Sequence, residues 1–176
     1  MQQKTSQPAP NIEIIPATPA QQPVLANLLE LYAHDFSAFL DLELGPDGRY
    51  GYPLLRLYWK EAGRYPFLIQ VNGYWAGFIF VAKGSQISGK EDIWDVAEFF
   101  IVRRYRRRGV GRKVAREIWQ HFPGKWEVRV LDRNQPAQAF WKNALEEFLG
   151  KTSHPKTFKK NNKNWQVFSF ESRQPA

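Results

Sequence analysis

The chain is 176 residues long, which suits a single domain, and its 43% apolar and 15% aromatic content is ample for a buried core. It has no cysteine, which excludes disulfides, thiolate metal sites and a cysteine nucleophile. No run approaches the roughly 18 consecutive apolar residues of a membrane span and the N-terminus shows no apolar signal core, so a cytoplasmic protein with no membrane partner is expected. The formal net charge of +8 is unevenly spread. Residues 5–48 contain no Lys or Arg but hold Glu13, Glu30, Asp35, Asp41, Glu43 and Asp47, whereas the remainder is basic, densest over residues 103–116 and at Lys151, Lys156, Lys159, Lys160 and Lys163.

Residues 1–11 are Gln/Pro-rich without periodicity and read as a flexible N-terminal tail; residues 12–172 read as one domain, and residues 173–176 as a C-terminal tail. Residues 12–15 form a short strand. Val24, Leu25, Leu28, Leu29, Leu31, Tyr32, Phe36, Phe39 and Leu40 recur at helical spacing, predicting one or two helices over residues 20–40, and Gly45-Pro46-Asp47-Gly48 breaks the chain. A short helix over 54–62 ends at Gly63. Residues 67–71 and 74–82 flank Asn72-Gly73, a type I′ hairpin signal. Next come a strand over 93–102, a helix over 111–122, a strand over 126–131 and a helix over 134–148. The closing strand, 165–170, pairs with 152–158 through a turn at 159–164. The fold class is mixed α/β, a central sheet with helices on both faces.

Between Glu98 and Arg116 an apolar strand runs into an arginine-flanked Gly-x-Gly that opens an amphipathic helix. Gly109 and Gly111 suit a tight turn with bare N–H groups, the helix adds its positive N-terminal end, and Arg106, Arg107, Arg108 and Arg112 supply guanidinium forks, so the segment reads as a phosphate cradle. A plain solvated helix start is the alternative. The P-loop spacing is absent. The dinucleotide fingerprint fails because Val114 stands where a third glycine belongs and no convincing acidic residue follows about 20 positions later. What fits is Arg/Gln-x-x-Gly-x-Gly/Ala, carried by Arg106, Gly109 and Gly111. Further on, after a short apolar strand, Asn134-Gln-Pro-Ala137-Gln-Ala-Phe140-Trp141 matches Asn-x-x-Ala-x-x-Phe/Leu-Tyr except at its last position.

With both segments in this order the chain resembles the GNAT superfamily of N-acetyltransferases. The resemblance implies a mixed, mostly antiparallel sheet and acetyl-CoA as co-substrate, with no metal. It places the pyrophosphate on the turn from Arg106 through Val110 to Arg112, and Asn134 near the pantetheine arm. It further implies that the backbone of Phe100, Ile101 and Val102 pairs with the pantetheine amides while one N–H polarises the acetyl carbonyl. Trp141 stands where many members carry the tyrosine that protonates the leaving thiolate, and an indole N–H is no acid near neutral pH; Tyr105, Tyr58 or solvent are the remaining sources.

A primary amine with a pKa near 10 must lose a proton before attacking a thioester. Glu98, an acid within an apolar strand, is the first candidate for the general base, with a strand-end carboxylate paired to an arginine as the alternative. Asp95, three residues earlier, is expected on the opposite sheet face. The acidic early helices imply a cationic small-molecule or peptide amine as acceptor. Most of the tryptophans are read as core residues, with Trp59 and Trp141 the two that could line an acceptor cleft. His34, His121 and His154 lack ligand spacing. Two other classes stand beside the transferase: a CoA-binding protein without catalysis, suggested by Trp141, and a basic nucleic-acid-binding module, for which charge and the aromatic-lysine pattern of residues 158–165 speak. The resemblance also leaves a homodimer through the C-terminal strands open.

Overall fold

A computed structural model describes residues 9–173. The first eight residues of the expected N-terminal tail and residues 174–176 lie outside it. Asn11, which the sequence assigns to the tail, is tied to the first hairpin: it exchanges hydrogen bonds with Asn72, N–H to Oδ1 and O to N–H, both at 2.8 Å.

Seven strands form one sheet in the order β1-β2-β3-β4-β5-β7-β6, with β1 Ile12–Pro16, β2 Arg64–Val71, β3 Tyr74–Lys83, β4 Trp94–Ile101, β5 Gly124–Leu131, β6 Lys156–Lys160 and β7 Lys163–Ser172. All neighbours are antiparallel except β4 and β5. The expected mixed, mostly antiparallel sheet is what the chain forms. Helix α1, Gln22–Phe36, covers one face; α2, Val110–His121, and α3, Gln135–Leu149, cover the other.

Each face is dictated by a sequence period. Strand residues alternate: Leu68, Phe78, Phe80 and Phe100 pack with Leu25, Leu28 and Leu29 of α1, while Ile69, Ile79, Val81, Val96 and Ile101 pack with α2 and α3. Helix α2 buries Val110, Val114, Ala115, Ile118 and Trp119, a stripe at three-to-four-residue spacing. Fully burying a Phe or Leu of this kind contributes roughly 1.5–3 kcal/mol, so the side chains at 0% exposure, Leu25, Leu68, Phe78 and Phe80 among them, fix α1 on its face.

Local differences from the sequence expectation have simple causes. The helix predicted over 54–62 is a 3₁₀ turn, Leu55–Trp59, in which only Leu55 and Tyr58 are buried. The turn predicted over 159–164 shrinks to Asn161-Asn162, both at positive φ (52° and 58°), because asparagine tolerates the left-handed region and the flanking lysines can join the ladder. Asn72-Gly73 adopts the predicted geometry, with φ of 52° and 78°. Trp59 donates its Nε1–H to Ala17 O at 2.8 Å, a structural bond.

Candidate active site

Three features of β4 build the site. Its pairing with β5 is confined to Trp94/Trp126 and Asp95/Glu127, after which the two strands part. Its pairing with β3 slips between Phe80 and Val81: Glu98 faces Phe80 and Val96 faces Val81, leaving Ala97 as a bulge. Finally, Gly77 of β3 lies so near that an added Cβ would stand 2.0 Å from Phe100 O, so only glycine lets the two backbones meet there.

The bulge corrects the expectation for Asp95. One extra residue resets the alternation, so Asp95, opposite Ala82, and Glu98, opposite Phe80, share the α1 face instead of pointing apart. Arg129 of β5 reaches into the fork between the strands. Its guanidinium pairs with Asp95 and donates to Ala97 O at 3.3 Å, and it lies over the Trp165 ring at 5.9 Å.

Glu98 sits partly buried beside this pair. Its Oε2 accepts from Tyr32 Oη at 2.5 Å and its Oε1 from Tyr52 Oη at 3.1 Å. Burial pushes its carboxyl above the ordinary range, outweighing the Tyr32 hydrogen bond, the Arg129 charge and the Tyr52 hydrogen bond, which pull the other way. The same burial, reinforced by Glu98, pushes the Tyr32 and Tyr52 phenols well up, so both stay protonated donors. Neither tyrosine is singled out by sequence. Tyr32 lies on the apolar face of α1, where an aromatic reads as core, and Tyr52 sits in a loop without a pattern. Arg129 shows as an arginine within an apolar strand, a signal that the buried Asp95 explains only once the fold is known.

The parted strands leave a cleft of about 160 Å³ walled by Tyr32, Glu98, Arg129, Asn134, Trp141 and Trp165 among others. In an antiparallel pair both backbone groups of alternate residues point the same way. Val102 N–H donates to Ala76 O and Phe100 O lies against Gly77, so these two turn towards β3. Phe99 and Ile101 therefore turn towards the cleft. Of the three residues expected to offer backbone there, Ile101 turns its backbone away from β3, its carbonyl accepting from Arg106 Nε at 2.6 Å, whereas Phe100 and Val102 turn theirs towards β3.

Beyond the cleft the chain turns through Arg107 (φ 58°) and Gly109 (φ 79°) into α2. The first intrahelical bond runs from Lys113 N to Gly109 O, so the N–H groups of Val110, Gly111 and Arg112 have no helical acceptor. Gly111 has a different role from Gly109. Its φ is ordinary, but a Cβ there would sit 3.1 Å from the Phe140 ring of α3, so it permits close helix packing. The arginines divide. Arg106 and Arg103 both grip Asp35 of α1, the latter at 2.7 Å; burial pushes the Asp35 carboxyl up, but these two guanidinia outweigh it and hold it below its ordinary range. Arg112 pairs with Glu147 at 2.9 Å on the surface. Arg107 and Arg108 are exposed and form no ion pair among the described residues.

Asn134 caps α3, its Oδ1 accepting from Ala137 N at 3.2 Å, and it also lines the cleft. Trp141 lies on the cleft wall with its ring packed on Phe99, 5.3 Å between centroids. The two tyrosines suggested by sequence as acids lie elsewhere: Tyr105 lines a hollow with Arg104 and Arg108, and Tyr58, its phenol pushed up to about 12 chiefly by burial, is packed on Phe80. On the other side of Tyr52 an open hollow of about 540 Å³ is lined by Glu43, Asp47, Arg49 and Tyr50 among others. Glu30 of α1 pins this loop, accepting from Tyr50 N at 2.8 Å and Gly51 N at 3.0 Å, and pairs with Arg49 at 3.5 Å.

Solved structures share this architecture. An acetyltransferase from Thermus thermophilus aligns with a TM-score of 0.67 at 16% identity, over 91% of this chain and 96% of its own. The Salmonella typhimurium protein yncA, solved with its cofactor acetyl-CoA, aligns with 0.58 at 14% identity, over 94% and 96%. Arabidopsis thaliana NAA60, solved with a bisubstrate analogue, gives 0.58 at 14% identity, over 92% and 98%. At these identities the likeness is one of fold. No curated protein matches the chain. Residues 25–145 match the family model described as Acetyltransferase (GNAT) family, well over half of the sequence, and the chain therefore belongs to the GNAT acetyltransferase family.

Proposed function

We propose that this protein transfers the acetyl group of acetyl-CoA to the amine of a cationic acceptor by direct attack on the thioester. The observation that carries the reading is the fork after Asp95/Glu127, where β4 leaves β5 and the hydrogen-bonded carboxylate of Glu98 lines the cleft that opens.

The residues present suit acetyl-CoA. The N–H groups of Val110, Gly111 and Arg112, with Gly109 in the left-handed region, suit the pyrophosphate. Arg107 and Arg108 are the free guanidinia to meet its charge, while Arg112 contributes its backbone N–H and Arg106, whose own N–H donates to Arg103 O at 3.2 Å, braces the turn through Asp35 and Ile101. The cleft-facing backbone of Phe99 and Ile101, with the amide of Asn134, suits the pantetheine arm, and an N–H of this pair suits the carbonyl oxygen on which negative charge develops. When bound, acetyl-CoA supplies the activated acyl group.

Glu98 takes the proton that the attacking amine must lose. A carboxylate lifted above its ordinary range is a better proton acceptor near neutral pH than a solvated one. For the acceptor, Glu43 and Asp47 present acidic groups in the hollow beside Tyr52, and Glu30 compensates Arg49, the hollow's one lining base. That charge favours a polyamine or a lysine-like amine over an acidic one. The test is release of CoA thiol with paired amines of matched length, spermidine or a lysine amide against an acidic amino acid. Preference for the cationic amines is expected, and equal turnover of the two classes refutes the acceptor assignment.

A further inference from the structure

Glu98 has two oxygens, each holding a different tyrosine, and those tyrosines stand on different cavities. Tyr52, on Oε1, is part of the acidic hollow; Tyr32, on Oε2, is part of the cleft between β4 and β5. A carboxylate that merely needed solvating in the core has no reason to be bonded towards both sites. We propose that Tyr52, Glu98 and Tyr32 form a proton relay joining the two cavities, Tyr52 drawing a proton from the acceptor's ammonium and Tyr32 delivering one to the departing thiolate. The inference rests on the acetyltransferase reading above.

The step balances. The ammonium gives a proton to the Tyr52 oxygen as Tyr52 passes its own to Glu98 Oε1, leaving a neutral amine and a carboxylic acid. The amine nitrogen bonds to the acetyl carbon, the carbon–sulfur bond breaks, and its electron pair leaves on sulfur. The Glu98 carboxyl then makes a half-turn about its Cγ–Cδ bond, bringing the newly protonated oxygen opposite Tyr32. It gives that proton to the Tyr32 oxygen as Tyr32 gives its own to the sulfur, restoring the carboxylate and both phenols. The second proton lost by the nitrogen leaves to water through the open hollow.

The surroundings suit this cycle. The Tyr32 ring is clamped by Phe36, stacked at 5.3 Å, and by the edges of Phe78 and Phe100. Tyr52 packs on Phe80 at 6.2 Å and lies beside the Tyr58 phenol. The charged groups facing Glu98 are Arg129 and Asp95 from the fork, a pair that is neutral as a unit. The relay also places an acid on the cleft wall that carries Trp141 where the family pattern has tyrosine.

Tyr52→Phe and Tyr32→Phe separate the two halves. In both variants acetyl-CoA binding, read by thermal shift, stays at the wild-type level. With ethylamine, 2-fluoroethylamine and 2,2,2-trifluoroethylamine as acceptors, Tyr52→Phe loses roughly 10²-fold or more in kcat on the most basic amine and recovers as the amine becomes less basic; Tyr32→Phe loses a constant factor across the series. An arm without acceptor uses the ultraviolet absorption of the CoA thiolate bound to the protein: its titration moves to higher pH in Tyr32→Phe and stays in place in Tyr52→Phe. Losses that ignore amine basicity in both variants, or a bound-thiol titration unmoved by Tyr32→Phe, overturn the relay. If wild type fails to bind CoA at all, the functional reading itself fails, which is a separate outcome.

Discussion

Arg129→Met tests the electrostatics of the fork. The substitution keeps an apolar stem but strands Asp95, whose side chain is 2% exposed, and removes the donor to Ala97 O. Losing one partner of a buried pair costs about 3–5 kcal/mol; with Arg129 itself 16% exposed, water reaches the fork and the lower half of that range applies. At about 2–4 °C per kcal/mol for a chain of this size, Tm falls by roughly 6–16 °C. The site responds as well. Burial lifts Glu98 and the Arg129 charge opposes the lift, so without it Glu98 rises further and the acid limb of kcat/KM moves to higher pH. Asp95 pushes Glu98 the other way, so the double variant Asp95→Leu/Arg129→Met removes both influences and brings the profile back towards wild type, with stability near that of wild type. Thermal melting followed by circular dichroism and pH profiles of thiol release read both effects. A single variant melting within about 2 °C of wild type, or a double variant no better than the single, refutes the reasoning.

Glu98→Gln lowers kcat by roughly 10²–10⁴-fold while acetyl-CoA still binds. The pH dependence of its stability has a definite sign. Because Glu98 holds its proton more tightly in the folded than in the unfolded state, its favourable contribution is present below the unfolded carboxyl value and lost as pH rises through the folded one. Urea melts should therefore show Glu98→Gln gaining on wild type as pH rises above the unfolded carboxyl value of about 4.3, and wild type gaining on Glu98→Gln over that rise contradicts the assignment. The two turn glycines separate by mechanism: Gly109→Ala costs roughly 1–2 kcal/mol from its positive φ alone, whereas Gly111→Ala costs roughly 1 kcal/mol from contact with Phe140 and is relieved by Phe140→Leu in a double-mutant cycle. Glu43→Gln/Asp47→Asn raises KM for spermidine severalfold at low salt and less at high salt, with kcat unchanged; equal KM changes for a neutral amine would sink the charge argument.

How much of this was legible in the sequence depends on whether one residue's neighbours decide its role. The β2–β3 hairpin, the stripe of α2 and the strand–glycine–helix turn are local patterns, so Asn72-Gly73, Val114 to Ile118 and Gly109 read correctly. Glu98 was visible because a charge stands out in an apolar strand. Asp95 was misplaced because a single bulged residue, Ala97, resets the alternation, and nothing in the local sequence announces it. The orientation of the Phe99 and Ile101 backbone follows from Gly77 on another strand. Arg106 and Arg103 are committed to Asp35, 71 and 68 positions away, which composition cannot show. Tyr32 and Tyr52 acquire meaning only from the carboxylate they share.

The measurement that bears most directly on the central claim is the thermal stability of the purified protein with acetyl-CoA, CoA, ATP and NAD. A ligand at about 100 times its Kd stabilises by about 2.7 kcal/mol, which for a chain of this length raises Tm by roughly 5–11 °C. A rise of that order is expected with acetyl-CoA and CoA and little with the other two. No shift with either CoA species at millimolar concentration, or an equal shift with all four, would contradict it.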